Sequence, residues 1–463
     1  MFIFPLIYII SFIVAFNEVL KGNRAGVFIF LIFGLSIYTT AMSVAFLLGL
    51  KDIIPFLQPF KEILIIIVFF LNLVALKYWP RFHIIDYAIL AYLLYTIVYA
   101  ILPIGDQSFV GRLIALKSTS FYIVVYFAGR FIDLRAVYIN KYFNYIIVLT
   151  IAAAGVLLVE VIIQSPLQFH SGYFDYSAYF FNRDADGAFG LQTTFTSDSG
   201  YIRFASFFTN PLEHGVATLL ALAVIGGLYT RDDNKFKING IGMLALGASF
   251  LSILFALSRA ALVAYLIMIY VYALATRKKF VVNAIHIAFG LSGIYLIYLF
   301  FQFGNNHSGL IMVVMNTIDF SDPSSIGHLE QWVEGLVAMI QHPFGLGLGS
   351  SGRVGATLNE NVGGENQFII IGVQAGVVAL LLYLYIYVLF IKTGVKWLPK
   401  LRGKERQVCM TVLLLKIGLF IPLLTSEVES SSYLSYMNWF LSGLLISIIM
   451  QSKARQTQFV YDH

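Results

Sequence analysis

Long apolar runs, separated by short polar segments, repeat along this chain from end to end. A helix needs about 20 apolar residues to cross the hydrocarbon core of a bilayer, and most runs approach that length. The runs are continuous rather than alternating, which excludes a membrane β-barrel. The pattern therefore predicts an all-α polytopic membrane protein of about 12–14 transmembrane helices, forming a single membrane domain over 1–463. The predicted spans lie near 2–20, 26–50, 62–76, 84–104, 113–128, 144–163, 211–229, 239–257, 259–276, 280–301, 367–391, 407–425 and 436–451.

Composition supports the membrane class, because 59% of the 463 residues are hydrophobic and only 12% are charged. The first apolar run has no basic segment before it and no small-residue cleavage site, so we expect a retained span rather than a cleaved signal peptide. Cys409 is the only cysteine in the sequence. A disulfide framework and a cysteine-based metal site are therefore excluded.

The lysines and arginines alternate between the two sides of the predicted bundle. The links on one side hold most of the 30 basic residues, including six in the segment 392–406. By the positive-inside rule this side is cytoplasmic, which places the C-terminus inside and the long loops 164–210 and 302–366 outside. The N-terminus is also expected outside, unless 51–62 dips into the membrane without crossing it. The net charge of +6 thus reflects orientation and does not indicate a nucleic acid partner.

The cytoplasmic links are short, so any chemistry is expected on the outer loops and the outer ends of helices. The stretch 201–215, YIRFASFFTNPLEHG, closes the first long loop and opens an apolar run. Pro211 stands where a helix can begin, because its missing N–H costs little there. Arg203 lies eight residues earlier, and a charge so close to hydrocarbon usually pairs or binds a ligand. The alternative is an interfacial arginine that snorkels to lipid phosphate.

Both long loops contain features of their own. The first is rich in aromatic residues, which either belong to the interfacial belt or form a face on which sugar rings stack. In the second, Asp322 and Pro323 predict the start of an amphipathic helix that lies on the membrane. A glycine-rich segment, FGLGLGSSGRVG, follows His342 and Pro343. We interpret it as a flexible lid or as a close approach of backbone to a ligand.

Cations near the outer surface are the main candidates for ligand binding. Arg259 is the strongest candidate among them, because it lies between two apolar runs that are joined by almost no loop. Guanidinium groups bind phosphate through paired donors, so a pyrophosphate is a suitable ligand. No DxD-type cluster accompanies the cations, and neither a metal nor another cofactor is expected. The five cations are Arg112, Lys117, Arg203, Arg259 and Arg353.

Several outer carboxylates and histidines could carry acid–base chemistry. Glu365 is the preferred base because it stands at the mouth of a span, beside Asn366 and after two glycines. Asn366 or His214 is expected to orient it. The alternative is a carboxylate that simply favours the positive end of a helix. The other candidates are Glu213, His328, Glu330, Glu427 and Glu429.

Four motifs occur in order along residues 110–450: RFASFFTNP from Arg203, SRAA around Arg259, HPFGLGLG at 342–349, and the pair Glu365-Asn366. With these motifs the chain resembles the bacterial O-antigen polymerase and O-antigen ligase superfamily. The resemblance implies a C-type glycosyltransferase fold. It also implies a saccharide donor on undecaprenyl pyrophosphate at the outer face of the bacterial inner membrane.

The resemblance further implies that arginines matching Arg203 and Arg259 hold the pyrophosphate. Ligases of this group carry a histidine near the position of Glu365, and this sequence departs from that pattern. The hypothesis is therefore a polysaccharide polymerase in which Arg112, Lys117 and Arg353 guide the anionic lipid. A ligase that moves finished glycan to lipid A core or protein is the alternative, and a transporter is the alternative from another class. The expected partners are the lipid-linked glycan and the bilayer, with a protein that regulates chain length left open.

Overall fold

The computed structural model describes residues 1–76, 78–133, 137–197, 200–302, 323–358 and 360–461. Within these ranges the chain is helical, and ten helices are long and apolar enough to cross a membrane. Three further predicted spans correspond to shorter apolar helices, so every predicted span has a helix. The helices used below are α1 Ile3–Leu20, α2 Arg24–Leu47, α3 Ile54–Val74, α4 Ile84–Ile101, α5 Phe109–Arg130, α6 Ile139–Ile163, α7 Tyr173–Phe181, α8 Pro211–Tyr229, α9 Gly240–Phe255, α10 Arg259–Ala275, α11 Lys279–Gln302, α12 Pro323–Gln341, α13 Gln367–Trp397, α14 Gly403–Thr425 and α15 Ser432–Tyr461.

Polar residues just ahead of the apolar runs explain where several helices begin. Asn210 caps α8 by accepting the Glu213 backbone N–H at 2.9 Å, so the predicted start at Pro211 is confirmed. Ser258 caps α10, and Asn366 caps α13 through two backbone N–H groups. Such side chains satisfy donors that the first helical turn leaves without partners.

Helix α15 forms the centre of the bundle, because 94% of the residues in its apolar span are buried. It packs against α5 with backbone nearly touching backbone. A Cβ at Gly443 would lie 2.0 Å from the Tyr126 carbonyl, and one at Gly129 would lie 2.2 Å from the Phe440 carbonyl. Small residues permit this closeness, which supplies packing energy where lipid offers no hydrophobic gain.

Helix α2 is irregular before it reaches the site described below. A π-helical turn, Phe30–Gly34, and a 3₁₀ turn, Leu35–Ile37, interrupt its α-helical hydrogen bonding. Interruptions of this kind reorient the residues that follow, and they are frequent at functional sites. Here they directly precede Tyr38 and Thr39, which face a cavity.

The glycine-rich segment after α12 is not a flexible lid, and that expectation is corrected. Helix α13 breaks at Gly376, where φ is +80°, and the break frees backbone groups that the helix would otherwise pair. Leu346 and Gly347 donate to the carbonyls of Val373 and Gln374 at 2.7 and 3.1 Å. Val377 in turn donates to Pro343 at 3.0 Å. The segment thus satisfies a broken helix, as irregular backbone at membrane depth requires.

Helix α12 confirms the predicted amphipathic helix from Pro323, while Asp322 lies outside the described residues. Its other face packs on α13 through Gly335, Ala338 and Met339. The predicted apolar stripe remains exposed on the protein, as a helix that lies on a membrane would leave it. The stripe comprises Ile326, Leu329, Val333, Leu336 and Ile340.

Candidate functional site

The segment that carries Arg203 lies against the end of α9. The Arg203 backbone N–H donates to the Phe195 carbonyl at 2.9 Å, within a short antiparallel pairing of Thr196 with Ile202. The next residue, Phe204, donates to the Phe255 carbonyl at 3.4 Å. The chain turns sharply four residues beyond Phe255 to begin α10 at Arg259, which is exposed.

A second contact joins the same two segments. A Cβ at Gly215, in the first turns of α8, would lie 3.1 Å from the Ala261 side chain and 3.6 Å from that of Ser258. The small residues at 215 and 261 therefore let α8 approach the start of α10 closely. The structure brings together the two segments whose arginines were predicted to act together.

Buried hydrogen bonds hold the Arg203 segment in place. Glu160, near the end of α6, accepts the Ser206 N–H at 2.8 Å and the Leu167 N–H at 2.7 Å. Gln168 donates to the carbonyls of Ser206 and Phe208. A buried carboxylate satisfied in this way orders the segment that it contacts. Sequence reasoning missed Glu160, although a lone carboxylate inside an apolar span is a recognisable signal.

A cavity of about 740 Å³ opens beside this segment, between α2, α3, α5, α7, the start of α8 and the turn before α15. Thr209 and Glu213 connect the cavity wall to the Arg203 segment. Its lining combines aromatic faces with both signs of charge, and its volume suits a small-molecule or saccharide ligand. The charged lining residues in the described chain are Lys61, Lys117, Arg183, Arg353, Glu62, Glu213 and Glu429.

One corner of the cavity holds a carboxylate between two lysines. The Lys117 ammonium lies 2.6 Å from Glu62 Oε1, and the Lys61 ammonium lies 3.7 Å from the same oxygen. Lys61 also stands over the Tyr38 ring, 4.0 Å from its centroid. Glu62 is 8% exposed, so the lysines offset part of the cost of burying its charge.

Two further carboxylates, Glu213 and Glu429, line the cavity. Glu213 accepts the Thr209 N–H at 3.1 Å and the Ser431 hydroxyl at 2.5 Å. Glu429 accepts the Tyr383 hydroxyl at 2.7 Å and the indole N–H of Trp439 at 2.9 Å. These bonds orient both carboxylates toward fixed partners, which makes them well-ordered parts of the wall.

Two arginines that line the cavity, Arg353 and Arg183, also lie near Glu427. The Arg353 backbone N–H donates to Glu427 Oε2 at 2.7 Å. Burial raises the pKa of Glu427, the Arg353 and Arg183 cations offset this in part, and the nearby Glu365 raises it further. Glu365 itself is exposed. The structure therefore brings two carboxylates and two arginines from separate segments near one another.

The predicted site residues divide into several groups. Lys117 and Arg353 line the cavity, whereas the other six do not line it in the described chain. Arg112 is 7% exposed and donates to the Leu102 carbonyl, which closes the link before α5. His214 is 1% exposed, stacks on Phe208 and contacts the Phe204 carbonyl. The amide oxygen of Asn366 accepts a backbone N–H as a helix cap. Arg112, His214 and Asn366 thus all contact the protein itself.

Residues 244–384 match a family model described as O-antigen ligase. These residues, less than half of the chain, are therefore similar to that family. Members of the matched family are glycosyltransferase-like enzymes that act on lipid-linked glycans. A comparison with curated proteins finds no match.

The matched residues include α10 with Arg259, the part of α13 that contains its break at Gly376, and the glycine-rich segment that supports this break. The match ends before Glu427 and Glu429 and begins after Arg203. The cavity is therefore built largely by segments outside the match, with Arg353 among the matched residues that reach it.

Sequence reasoning did not single out three charged residues that line the cavity, namely Lys61, Glu62 and Arg183. Glu62 directly follows Lys61 at the outer end of a span, and Arg183 lies within the aromatic loop. All three could have been noticed as charges beside apolar sequence. Their partners lie far away in the chain, so the sequence offered no reason to group them.

Proposed function

We propose that this protein is a polysaccharide polymerase that uses lipid-linked repeat units. A growing glycan on undecaprenyl pyrophosphate is the donor, and a hydroxyl of the next lipid-linked repeat unit is the acceptor. The observation that carries the proposal is the contact of the Arg203 segment with the turn that begins α10 at Arg259, beside a large polar cavity. The family's action on lipid-linked glycans supports the same chemistry.

In the proposed reaction, the acceptor oxygen attacks the anomeric carbon of the donor sugar. The bond from that carbon to the pyrophosphate oxygen breaks, and undecaprenyl pyrophosphate leaves with the electron pair. Arg203 and Arg259 hold the pyrophosphate and stabilise its developing charge. The hydroxyl proton passes to Glu365, whose exposure leaves it accessible to an acceptor.

The remaining cations have different proposed roles. Lys117 and Arg353 attract the anionic lipid-linked substrate from within the cavity wall. Arg112 supports the link before α5, because its contact is with the Leu102 carbonyl. The proposal places the cavity on the periplasmic side of the inner membrane and the C-terminus in the cytoplasm, following the distribution of basic links.

The test is to incubate purified protein with a synthetic undecaprenyl pyrophosphate-linked repeat unit and to resolve the products by size. A ladder of lengthening products supports a polymerase. Transfer of finished glycan to lipid A core, without lengthening, would instead identify a ligase. Movement of labelled substrate across vesicles with no new glycosidic bond would identify a transporter.

A further inference from the structure

The second oxygen of Glu62 lacks a partner although it is buried. Oε1 contacts Lys117 and Lys61, but no donor in the described part of the chain forms a hydrogen bond with Oε2. Glu62 is only 8% exposed, and it lines the cavity. A buried acceptor without a hydrogen bond destabilises the protein, and a hydroxyl donor that reaches it would remove this cost.

The two lysines beside Glu62 differ in what else holds them. Lys61 donates to the Gln58 carbonyl at 3.3 Å and stands over the Tyr38 ring, so it is fixed within the protein. The side chain of Lys117 is 58% exposed and has room to donate to a ligand while it contacts Glu62. The corner thus presents an acceptor and a donor side by side, which is the pairing that sugar hydroxyls require.

Aromatic rings of the first long loop form the adjacent wall. Helix α7 brings the exposed ring of Tyr179 and the half-buried ring of Phe180 to the cavity, and both rings contact Phe46 on α2. The Tyr176 hydroxyl accepts from Gln58 at 3.3 Å, which joins this wall to the Glu62 corner. Rigid aromatic faces provide large contact area at little conformational cost, with a polar tip for hydroxyl groups.

We propose that the corner formed by Glu62, Lys61, Lys117 and the α7 rings is a saccharide-binding subsite. A sugar hydroxyl donates to Glu62 Oε2, Lys117 donates to a sugar oxygen, and the α7 rings pack on the sugar face. The subsite holds a sugar of the repeat unit away from the pyrophosphate, and this assignment to the repeat unit depends on the proposed function. The subsite selects for hydroxyl-bearing glycan rather than for the lipid pyrophosphate.

The test is binding of a lipid-free oligosaccharide, released by mild acid from the polymer of the producing bacterium, to full-length protein in nanodiscs by calorimetry. Glu62→Gln puts an N–H donor in place of an acceptor, so we expect binding about tenfold weaker. Ser118→Trp fills the cavity beside Lys117 without removing a buried charge, and we expect it to abolish binding. Glu405→Gln, which alters a pair with Arg455 outside the cavity, is the matched control.

Thermal unfolding of each variant shows whether it is folded. If Glu62→Gln does not fold, binding by Ser118→Trp decides the test. Equal binding by wild type and by both folded variants would overturn the subsite, as would no binding by wild type. Ladder formation by wild type is measured separately. Glu62-dependent binding without a ladder would support the subsite and contradict the polymerase. A ladder without Glu62-dependent binding would support the polymerase and contradict the subsite.

Discussion

The Lys117 ammonium on α5 lies 2.6 Å from Glu62 Oε1 on α3. The cation was predicted to guide an anionic lipid, and its partner is 55 positions earlier in the chain. The pair joins two helices at the cavity wall and leaves the second carboxylate oxygen of Glu62 available for a ligand. Glu62 offsets one of the two lysine charges at this corner, so the pyrophosphate is assigned to the arginines and a hydroxyl-bearing saccharide to Glu62.

Replacing either predicted pyrophosphate-binding arginine should remove polymerisation. We expect Arg203→Ala and Arg259→Ala to lower the rate of chain extension by on the order of 100- to 1,000-fold, because each removes a donor to the leaving group. Lysine at the same positions should restore only part of the activity, since an ammonium cannot bind phosphate through two parallel donors. The readout is the product ladder from the synthetic lipid-linked repeat unit.

Lys235→Ala is the control for this experiment, because Lys235 is an exposed cation paired with Asp233 in a short link. It should leave the ladder unchanged. A full-length ladder from Arg203→Ala or Arg259→Ala would falsify the role of that arginine.

Neutralising Glu365 should slow the reaction without unfolding the protein. We expect Glu365→Gln to reduce the rate of extension by on the order of 100- to 10,000-fold, as removal of a general base does. Asn366→Ala should act differently, lowering stability by about 1 kcal/mol through loss of the helix cap. Extension rates and thermal unfolding, measured on the same preparations, separate the two effects. Normal extension by Glu365→Gln would assign the proton transfer to another group.

The raised pKa of Glu427 predicts how stability varies with pH. The Glu427 carboxyl binds its proton more tightly in the folded protein than in the unfolded chain. Its contribution to the free energy of unfolding is therefore fully present below the ordinary glutamate pKa. That contribution is lost as pH rises through the raised pKa of the folded state. Glu427→Gln should weaken this dependence, because its amide oxygen still accepts the Arg353 N–H and carries no charge. Thermal unfolding from about pH 4 to about pH 7 measures it, and identical slopes for both proteins would contradict the prediction.

Breaking the buried pair between Asp86 and Arg130 should strongly destabilise the bundle. Arg130 Nε lies 3.2 Å from Asp86, and both side chains are nearly inaccessible to solvent. Asp86→Ala leaves a buried cation without its partner, which costs about 3–5 kcal/mol. The double variant Asp86→Ala with Arg130→Met should recover part of that loss. Unfolding in detergent tests this, and a double variant less stable than the single one would contradict it.

The glycines that support the broken helix should tolerate no side chain. A Cβ at Gly347 would lie 2.2 Å from the Ile104 carbonyl, and its φ is +104°. We expect Gly347→Ala to lower the free energy of unfolding by at least about 1–2 kcal/mol, the cost of a residue with a side chain in a left-handed conformation. The clash with the Ile104 carbonyl adds to this cost. Gly293→Ala on α11 is the control, since no atom lies within 4 Å of its Cβ position. The two variants should differ clearly in unfolding temperature, and equal stability would contradict the role of Gly347.

Local sequence determined the membrane class, the spans and several helix starts. Apolar runs of membrane-spanning length leave few alternatives to helices, because each must satisfy its own backbone hydrogen bonds in lipid. The starts at Pro211 and Pro323 follow from residues within one turn of each helix, so they could be predicted. The order of the four motifs also predicted the resemblance to the family that matches residues 244–384, since order along a chain needs no knowledge of packing.

Tertiary structure alone decided which charges meet. The contact of Glu62 with Lys117, the proximity of Glu365, Glu427 and Arg353, and the fit of the glycine-rich segment to the break at Gly376 all join distant parts of the chain. A single sequence records which residues are charged or small, but the distance between two side chains depends on how whole helices pack. For that reason the glycine-rich segment could be interpreted from the sequence only as a lid or as a close approach of backbone to a ligand, and nothing in the sequence pairs Glu62 with Lys117.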